Sequence, residues 1–205
     1  SSSSDSHSGM SEYQVALGTT AGATDVIGWT SVGNVTSHQF TGQSFTTGTT
    51  YYATVRAVDN AGNTGTAGNG DGWVADNDNP ATVTSVDDGN AFNFLTKTRV
   101  VTWAAASDSS SSVASYEMAI GTTAGATDVV NWTDVGNVTS YQMTGLSLTT
   151  DTTYYVSVRA VDAAGNKGTA GSGDGWMADN TAPTQVMGLN DGAYSATTSS
   201  STSAS

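Results

Sequence analysis

The 205-residue sequence contains no cysteine, which excludes disulfides, thiol nucleophiles and cysteine-ligated metal centres. Basic residues are scarce, because 5 Lys and Arg stand against 18 Asp and Glu, for a formal net charge of −13. Such a surface repels a polyanion, so we expect no nucleic-acid partner. No apolar stretch approaches the roughly 20 residues needed to cross a bilayer, so we expect no membrane span either.

Residues with catalytic chemistry are also few. The only histidines are His7 and His38. Neither histidine has a partner at a spacing that suits acid–base catalysis or metal binding. Serine is plentiful, but no Gly-x-Ser-x-Gly motif lies between a predicted strand and a predicted helix. We therefore expect no enzymatic activity.

The sequence is a tandem repeat. Residues 13–76 recur as residues 116–179, displaced by 103 positions, and 47 of the 64 aligned residues are identical. A repeat of this length is a small domain. Two near-copies in series indicate a protein that spans a distance, stiffens an assembly or makes many weak contacts. Positions that exchange one apolar residue for another mark the expected core: Val15/Met118, Leu17/Ile120, Ile27/Val130, Phe40/Met143, Phe45/Leu148, Ala53/Val156 and Val74/Met177.

The hydrophobic pattern predicts short strands and no amphipathic helix. Tyr116, Met118 and Ile120 alternate as one face of a strand. Gly/Asn/Asp/Thr turns then separate further β-rich runs, at 131–135, 139–143, 153–161 and 168–177. An all-β domain of about seven strands is most economically built as a two-sheet sandwich.

Residues 148–166, LTTDTTYYVSVRAVDAAGN, and their first-copy partners at 45–63 closely resemble the fibronectin type III pattern. The similarity spans the E–F corner, strand F and the F–G turn, and the resemblance as a whole covers residues 81–179. It implies that Tyr154 and Tyr51 are corner tyrosines and that Trp103, on strand B, is the core aromatic residue. Modules of this kind are spread through bacterial surface proteins and secreted enzymes, so the resemblance specifies a fold more than a function.

The repeat register predicts the domain organisation. Residues 1–76 form an incomplete fibronectin type III-like domain with strands C to G, because the first copy has no equivalent of residues 81–103. Residues 77–180 form a complete domain, and residues 181–205 hold the first strand of a following or donated domain plus a Ser/Thr-rich tail. The expected fold is all-β, with tandem fibronectin type III-like β-sandwiches joined end to end and the first domain lacking its first two strands.

The ends of the chain suggest strand donation. Residues 182–192 match the strand A region at 79–89, and we expect Val186, Met187 and Leu189 to complete the first domain of a neighbouring subunit. Residues 193–205 lack the apolar pattern of strand B. The segment could therefore be a donor, a tail or part of a longer array.

The domain junction has an acidic motif, Asp76-Asn-Asp78-Asn-Pro80. It resembles the calcium-binding linkers of cadherins, which makes Asp76 and Asp78 candidate ligands and calcium the candidate cofactor. The second copy has Asp179-Asn-Thr-Ala-Pro183 there, so a proline-stiffened hinge is the alternative. The segments 59–63 and 162–166 favour tight turns over calcium loops.

Trp29 and Trp132 are candidate ligand-binding residues, because an exposed Trp beside polar residues can stack on a sugar; the alternative is an aromatic that covers a sheet edge. The function we expect is a non-enzymatic structural repeat unit of a bacterial extracellular filament, stalk or large adhesin, self-associating head to tail. A glycan- or protein-binding module and a spacer of a secreted hydrolase are the alternatives. Low lysine with abundant Asp, Thr, Ser and Gly favours an extracellular or cell-surface location.

Overall fold

All regular secondary structure in the computed structural model is β. The structure describes residues 4–89, 91–94, 98–179, 181–185 and 187, and no helix occurs among them. Nothing in this part of the chain therefore forms a helix that could cross a membrane. The all-β prediction is confirmed.

The first copy forms a single antiparallel sheet. Its strands are ordered β2-β1-β3-β4, and β5 also pairs with β3. The five strands are β1 (Met10–Gly18), β2 (Ile27–Gly33), β3 (Thr50–Asp59), β4 (Gly68–Asn69) and β5 (Trp73–Val74).

The second copy repeats this sheet and adds another. The repeated sheet runs β6-β13-β11-β8-β9, with β12 also on β11, and β7 pairs with β10 in the second sheet. The core lies between the two sheets, as in a β-sandwich. The eight strands are β6 (Phe92–Phe94), β7 (Thr98–Thr102), β8 (Val113–Gly121), β9 (Val130–Gly136), β10 (Ser140–Thr144), β11 (Thr153–Asp162), β12 (Gly171–Ser172) and β13 (Trp176–Asp179).

Strand β11 shows how the sequence determines the core. Alternate residues share one face of a strand, and Tyr154, Val156, Val158 and Ala160 are all buried on the inner face. The Tyr154 hydroxyl accepts a hydrogen bond of 2.8 Å from the Thr149 backbone N–H. The equivalent bond, from Thr46 to Tyr51, is 3.0 Å. Both predicted corner tyrosines are thereby confirmed.

The predicted strand at 168–177 is interrupted. It divides into β12 and β13 around Gly173, Asp174 and Gly175. Gly175 has a φ of +86°, and a Cβ there would lie 2.7 Å from the Tyr155 ring. A residue with a side chain is strained in that conformation, so the chain turns at this glycine instead of continuing as a strand.

The inner faces of the two copies differ in burial. In the second copy, Trp103 from the strand B region and Val83 from the strand A region pack on the repeated sheet, as the predicted core aromatic requires. The first copy has a smaller core, made of Leu17, Tyr51 and Ala75 with partly buried neighbours. Its single sheet therefore keeps part of its inner face uncovered.

Candidate functional site

The junction between the copies is tied to both of them. On the first copy, the Asn77 side chain donates a 3.0 Å hydrogen bond to the Phe45 carbonyl. On the second, the Asp78 carboxylate accepts bonds of 3.2 and 2.7 Å from the hydroxyls of Ser109 and Ser110. Consecutive residues are thus held by different copies, which restricts bending at the junction.

Three carboxylates from different parts of the chain meet at this junction. Asp76 ends the first copy, Asp108 lies in the loop before β8, and Asp162 ends β11. One oxygen from each lies within 4.8 Å of the others. Oxygens bound to Ca²⁺ at 2.3–2.6 Å can be this far apart, so the spacing suits a shared hard cation.

Some carboxylate oxygens of the cluster accept hydrogen bonds, whereas others accept none. Asp108 Oδ1 accepts the backbone N–H groups of Ser111 and Ser110, at 2.7 and 2.9 Å, and these bonds lower the pKa of Asp108. Asp108 Oδ2 and Asp76 Oδ2 are buried, and neither has a hydrogen-bond partner among the described residues. Burying carboxylate oxygens without partners is costly, so a cation beside these two atoms would stabilise the cluster.

The structure places only one of the two predicted calcium ligands in this cluster. Asp76 is a member, whereas Asp78 faces the serine hydroxyls. Asp108 was not predicted as a ligand from the sequence, and Asp162 was predicted to be a turn residue. The turn is present, because Asp162 Oδ1 accepts the Ala164 and Asn166 N–H groups. Shared register was the available signal, since Asp108 and Asp162 recur as Asp5 and Asp59.

A second feature is a groove on the uncovered face of the first copy. It has a volume of about 400 Å³. Its walls come from all of β1 to β4 and the segment after β2, and they include Tyr13, Val15, Phe40, Val55 and Gly68. Val55 is 40% exposed, whereas its second-copy equivalent Val158 is 0% exposed. The groove therefore exposes apolar surface that the second copy buries.

The residues predicted to donate a strand lie near the end of the described chain. Met187 is described and is 87% exposed. Val186 and Leu189 lie outside the described residues. Strand donation therefore stays a prediction.

Each candidate ligand-binding tryptophan is stacked against an arginine. The Arg56 guanidinium lies 4.2 Å from the ring centroid of Trp29, and Arg159 lies 4.1 Å from that of Trp132. Both tryptophans are half-buried on the edge strands β2 and β9. The guanidinium occupies one ring face, so a sugar would have to stack on the other face or displace it. Ligand binding here stays a prediction.

One of three comparisons with known proteins supports the fold, through a match to a solved structure. No family model matches the chain, and no curated protein matches its sequence. Among solved structures, it is similar to the crystal structure of chicken CNTN1 FN1-FN3 domains, with a TM-score of 0.53 and 18% identity. The match covers 82% of this chain and 56% of that one, so the chain spans just over half of that structure's length.

A second match is the solution structure of a fibronectin type III domain derived from the human KIAA0970 protein, with a TM-score of 0.34 and 20% identity. It covers 54% of this chain and 85% of that one. Likeness at the identity of the first match establishes the fold alone. The sheet order, the corner tyrosines and that likeness together identify the fold as fibronectin type III-like.

Proposed function

We propose that this protein is a non-enzymatic structural repeat unit of a bacterial extracellular filament, stalk or large adhesin, whose units associate head to tail. The observation that carries the proposal is the uncovered groove of the first copy. The second copy, with nearly the same sequence, fills the equivalent space with residues of the strand A and B regions. The groove therefore corresponds to space that the second copy fills with its own chain.

The junction supports a structural role, because it transmits orientation from one unit to the next. Asn77 is bonded to the first copy and Asp78 to the second. The Asn166 side chain of the second copy also donates a 3.2 Å hydrogen bond to the Asp76 carbonyl. Units held in this way are suited to spacing and stiffening an array.

Head-to-tail association is supported by the different positions of the groove and of the segment that matches strand A. The acceptor groove lies on the first copy, whereas the segment that matches strand A follows the second. Such a contact joins different surfaces of two identical chains, so it propagates instead of closing into a symmetric dimer. Filling the groove would also remove an exposed apolar face.

Electron microscopy of the 205-residue chain tests this proposal. We expect filaments, and we expect deletion of residues 181–205 to abolish them. Deletion of residues 193–205 alone is the matched control, because it keeps the segment that matches strand A. Monodisperse particles from the full chain, or filaments that survive the larger deletion, would contradict head-to-tail association through this segment.

We also propose that calcium stiffens the junction, through Asp76, Asp108 and Asp162. The support is the pair of buried carboxylate oxygens without partners, Asp76 Oδ2 and Asp108 Oδ2. A divalent cation would offset the repulsion among the three carboxylates and bind residues from both copies together. The bound cation would thus add to the hydrogen bonds that already hold the junction to both copies.

The two copies supply a matched control for calcium. Asp5 is the equivalent of Asp108 and likewise accepts backbone N–H groups in its loop, including that of Ser8 at 2.7 Å, but it has no equivalent of Asp76 beside it. We expect calcium to raise the unfolding temperature of the wild type and of Asp5→Asn, and to have no effect on Asp108→Asn. Equal responses from all three chains, or none, would contradict the site.

A further inference from the structure

In the second copy, the strand A region runs over a row of glycines. A Cβ added at Gly171 would lie 2.0 Å from the Val83 carbonyl oxygen, and one at Gly168 would lie 2.7 Å from the Pro80 carbonyl oxygen. Real Cβ atoms do not approach backbone this closely. Glycine is therefore required at these positions for residues 80–83 to lie against the sheet.

The first copy has the same glycines without the covering segment. Gly65 and Gly68 are the equivalents of Gly168 and Gly171. A Cβ on Gly68 would meet nothing within 4 Å, and one on Gly65 would have its nearest contact at 3.7 Å. Gly68 also lines the groove. In this copy the glycines have room for a side chain, and they form a smooth track along the uncovered face.

We infer that this glycine track is the docking site for residues 182–191 of a second copy of the chain, which lie against Gly65 and Gly68 as residues 79–88 lie against Gly168 and Gly171. This inference rests on the proposed head-to-tail association and specifies its contact. Glycine supplies the close approach, and the apolar groove beside the track supplies the burial.

The register assigns a direction to each side chain of the docked segment. Val186 and Leu189 are equivalent to Val83 and Val86, which pack into the core of the second copy. Met187 is equivalent to Thr84, which is exposed. We therefore place Val186 and Leu189 in the groove, with Met187 facing solvent.

The chain leaves the second copy as it leaves the first. Asp76 Oδ1 accepts the Asp78 backbone N–H at 2.9 Å, and Asp179 Oδ1 accepts the Thr181 backbone N–H at 2.7 Å. The same local hydrogen bond thus begins the connection that follows each copy. The donor chain could thus pass from residue 179 of its second copy to the docked segment. It would use the same connection that residues 76–80 make between the two copies.

The acceptor side is tested with Gly68→Ala in the full chain, assayed for assembly by light scattering. The free first copy has room for this methyl group, so its fold is unchanged, but a docked segment would collide with it. Gly28→Ala is the matched control, because a Cβ there also meets nothing within 4 Å and the second copy has Asn131 at that position. We expect Gly68→Ala to lower the association constant about tenfold or more and Gly28→Ala to leave it unchanged.

The donor side is tested with Val186→Asp and Met187→Asp in the full chain. The first places a carboxylate in the apolar groove and should abolish assembly, whereas the second places it in solvent and should not. The Val186→Asp chain keeps its own groove. A synthetic peptide of residues 180–192 should therefore bind to it, and added Gly68→Ala should remove that binding.

The outcomes separate this inference from the function on which it rests. If the wild type assembles and Gly68→Ala or Val186→Asp assembles equally well, the glycine track is not the docking site, while head-to-tail association stands. If the wild type stays monomeric but the peptide binds in a manner sensitive to Gly68→Ala, the docking site stands and the association is wrong. Absence of both assembly and peptide binding overturns both.

Discussion

Residues 37–41 and residues 140–144 have almost the same sequence, Ser-His-Gln-Phe-Thr and Ser-Tyr-Gln-Met-Thr, but different structures. The second segment is β10, paired with β7 along its whole length. The first forms no strand. The equivalent of β7 is not present in the first copy, so the backbone groups of residues 37–41 have no ladder to join. Here the pairing partner decides whether a β-prone sequence becomes a strand.

The two closing tryptophans show the same effect on burial. Trp176 is 1% exposed, and the Arg99 guanidinium lies 4.3 Å from its ring centroid. Trp73 is 40% exposed and has ring contacts with Phe45 and Tyr51. Arg99 belongs to β7. The strand that gives residues 140–144 a partner therefore also covers Trp176.

The largest expected difference between the copies is in these tryptophans. Trp176→Ala should destabilise the second copy by about 3–5 kcal/mol, the usual cost of truncating a buried aromatic residue. Trp73→Ala should cost the first copy much less, because its ring is already partly in water. Hydrogen exchange measured by mass spectrometry follows each copy separately in one chain. Equal losses of protection in the two copies would contradict the difference in burial.

A smaller difference is expected at the equivalent glycines. Gly171→Ala forces the Val83 backbone away from the sheet, and overpacking of this kind typically costs about 1–3 kcal/mol. Gly68→Ala should change the stability of an unassembled chain by less than about 0.5 kcal/mol, as at most exposed sites. Denaturant titration of each variant in the Val186→Asp background checks this. A Gly68→Ala cost as large as that of Gly171→Ala would show that the track is already covered.

The smallest expected effect concerns an ion pair found in one copy. Glu117 contacts Arg159 at 2.6 Å and Lys167 at 2.8 Å, whereas the first copy has Gln14 and Thr64 in place of Glu117 and Lys167. Glu117→Gln makes the second copy resemble the first and should cost about 0.2–1 kcal/mol, less at high salt. Chemical denaturation at low and high salt measures this cost.

This cost should also depend on pH. Burial opposes ionisation of Glu117, but the hydrogen bonds from Lys167 and Arg159 outweigh it and lower its pKa below the ordinary 4.5. A lowered pKa stabilises the fold fully above 4.5, and that contribution is lost as pH falls through the folded-state value. The wild type and Glu117→Gln should therefore converge in strongly acidic solution. A difference that persists there would rule out the ion pair as its source.

The sequence was sufficient to predict the fold because its strongest signals are local. Alternation along β11 and the corner tyrosine depend on residues a few positions apart. The break at Gly175 was not predicted, because it depends on the Tyr155 ring from the neighbouring strand. The loss of the strand at residues 37–41 depends on a partner distant in sequence.

The candidate sites were harder to predict for the same reason. A linear motif indicated Asp76 and Asp78, but the carboxylates that meet Asp76 come from a loop and a strand end, 32 and 86 residues further along the chain. In the sequence, Gly168 and Gly171 lie in the β-rich run at 168–177, and nothing in that run marks them or their equivalents as a docking surface. Their role depends on comparing the space around Gly68 with that around Gly171.

The central claim is that the first copy is a sandwich without its cover. Joining a second copy of residues 77–103 directly ahead of Ser1 continues the 103-residue register and supplies the strand A and strand B regions. The decisive measurement is hydrogen exchange of residues 37–41 in this extended chain. The account predicts that their exchange slows to the rate of residues 140–144. Exchange at 37–41 that stays as fast as in the original chain would contradict it.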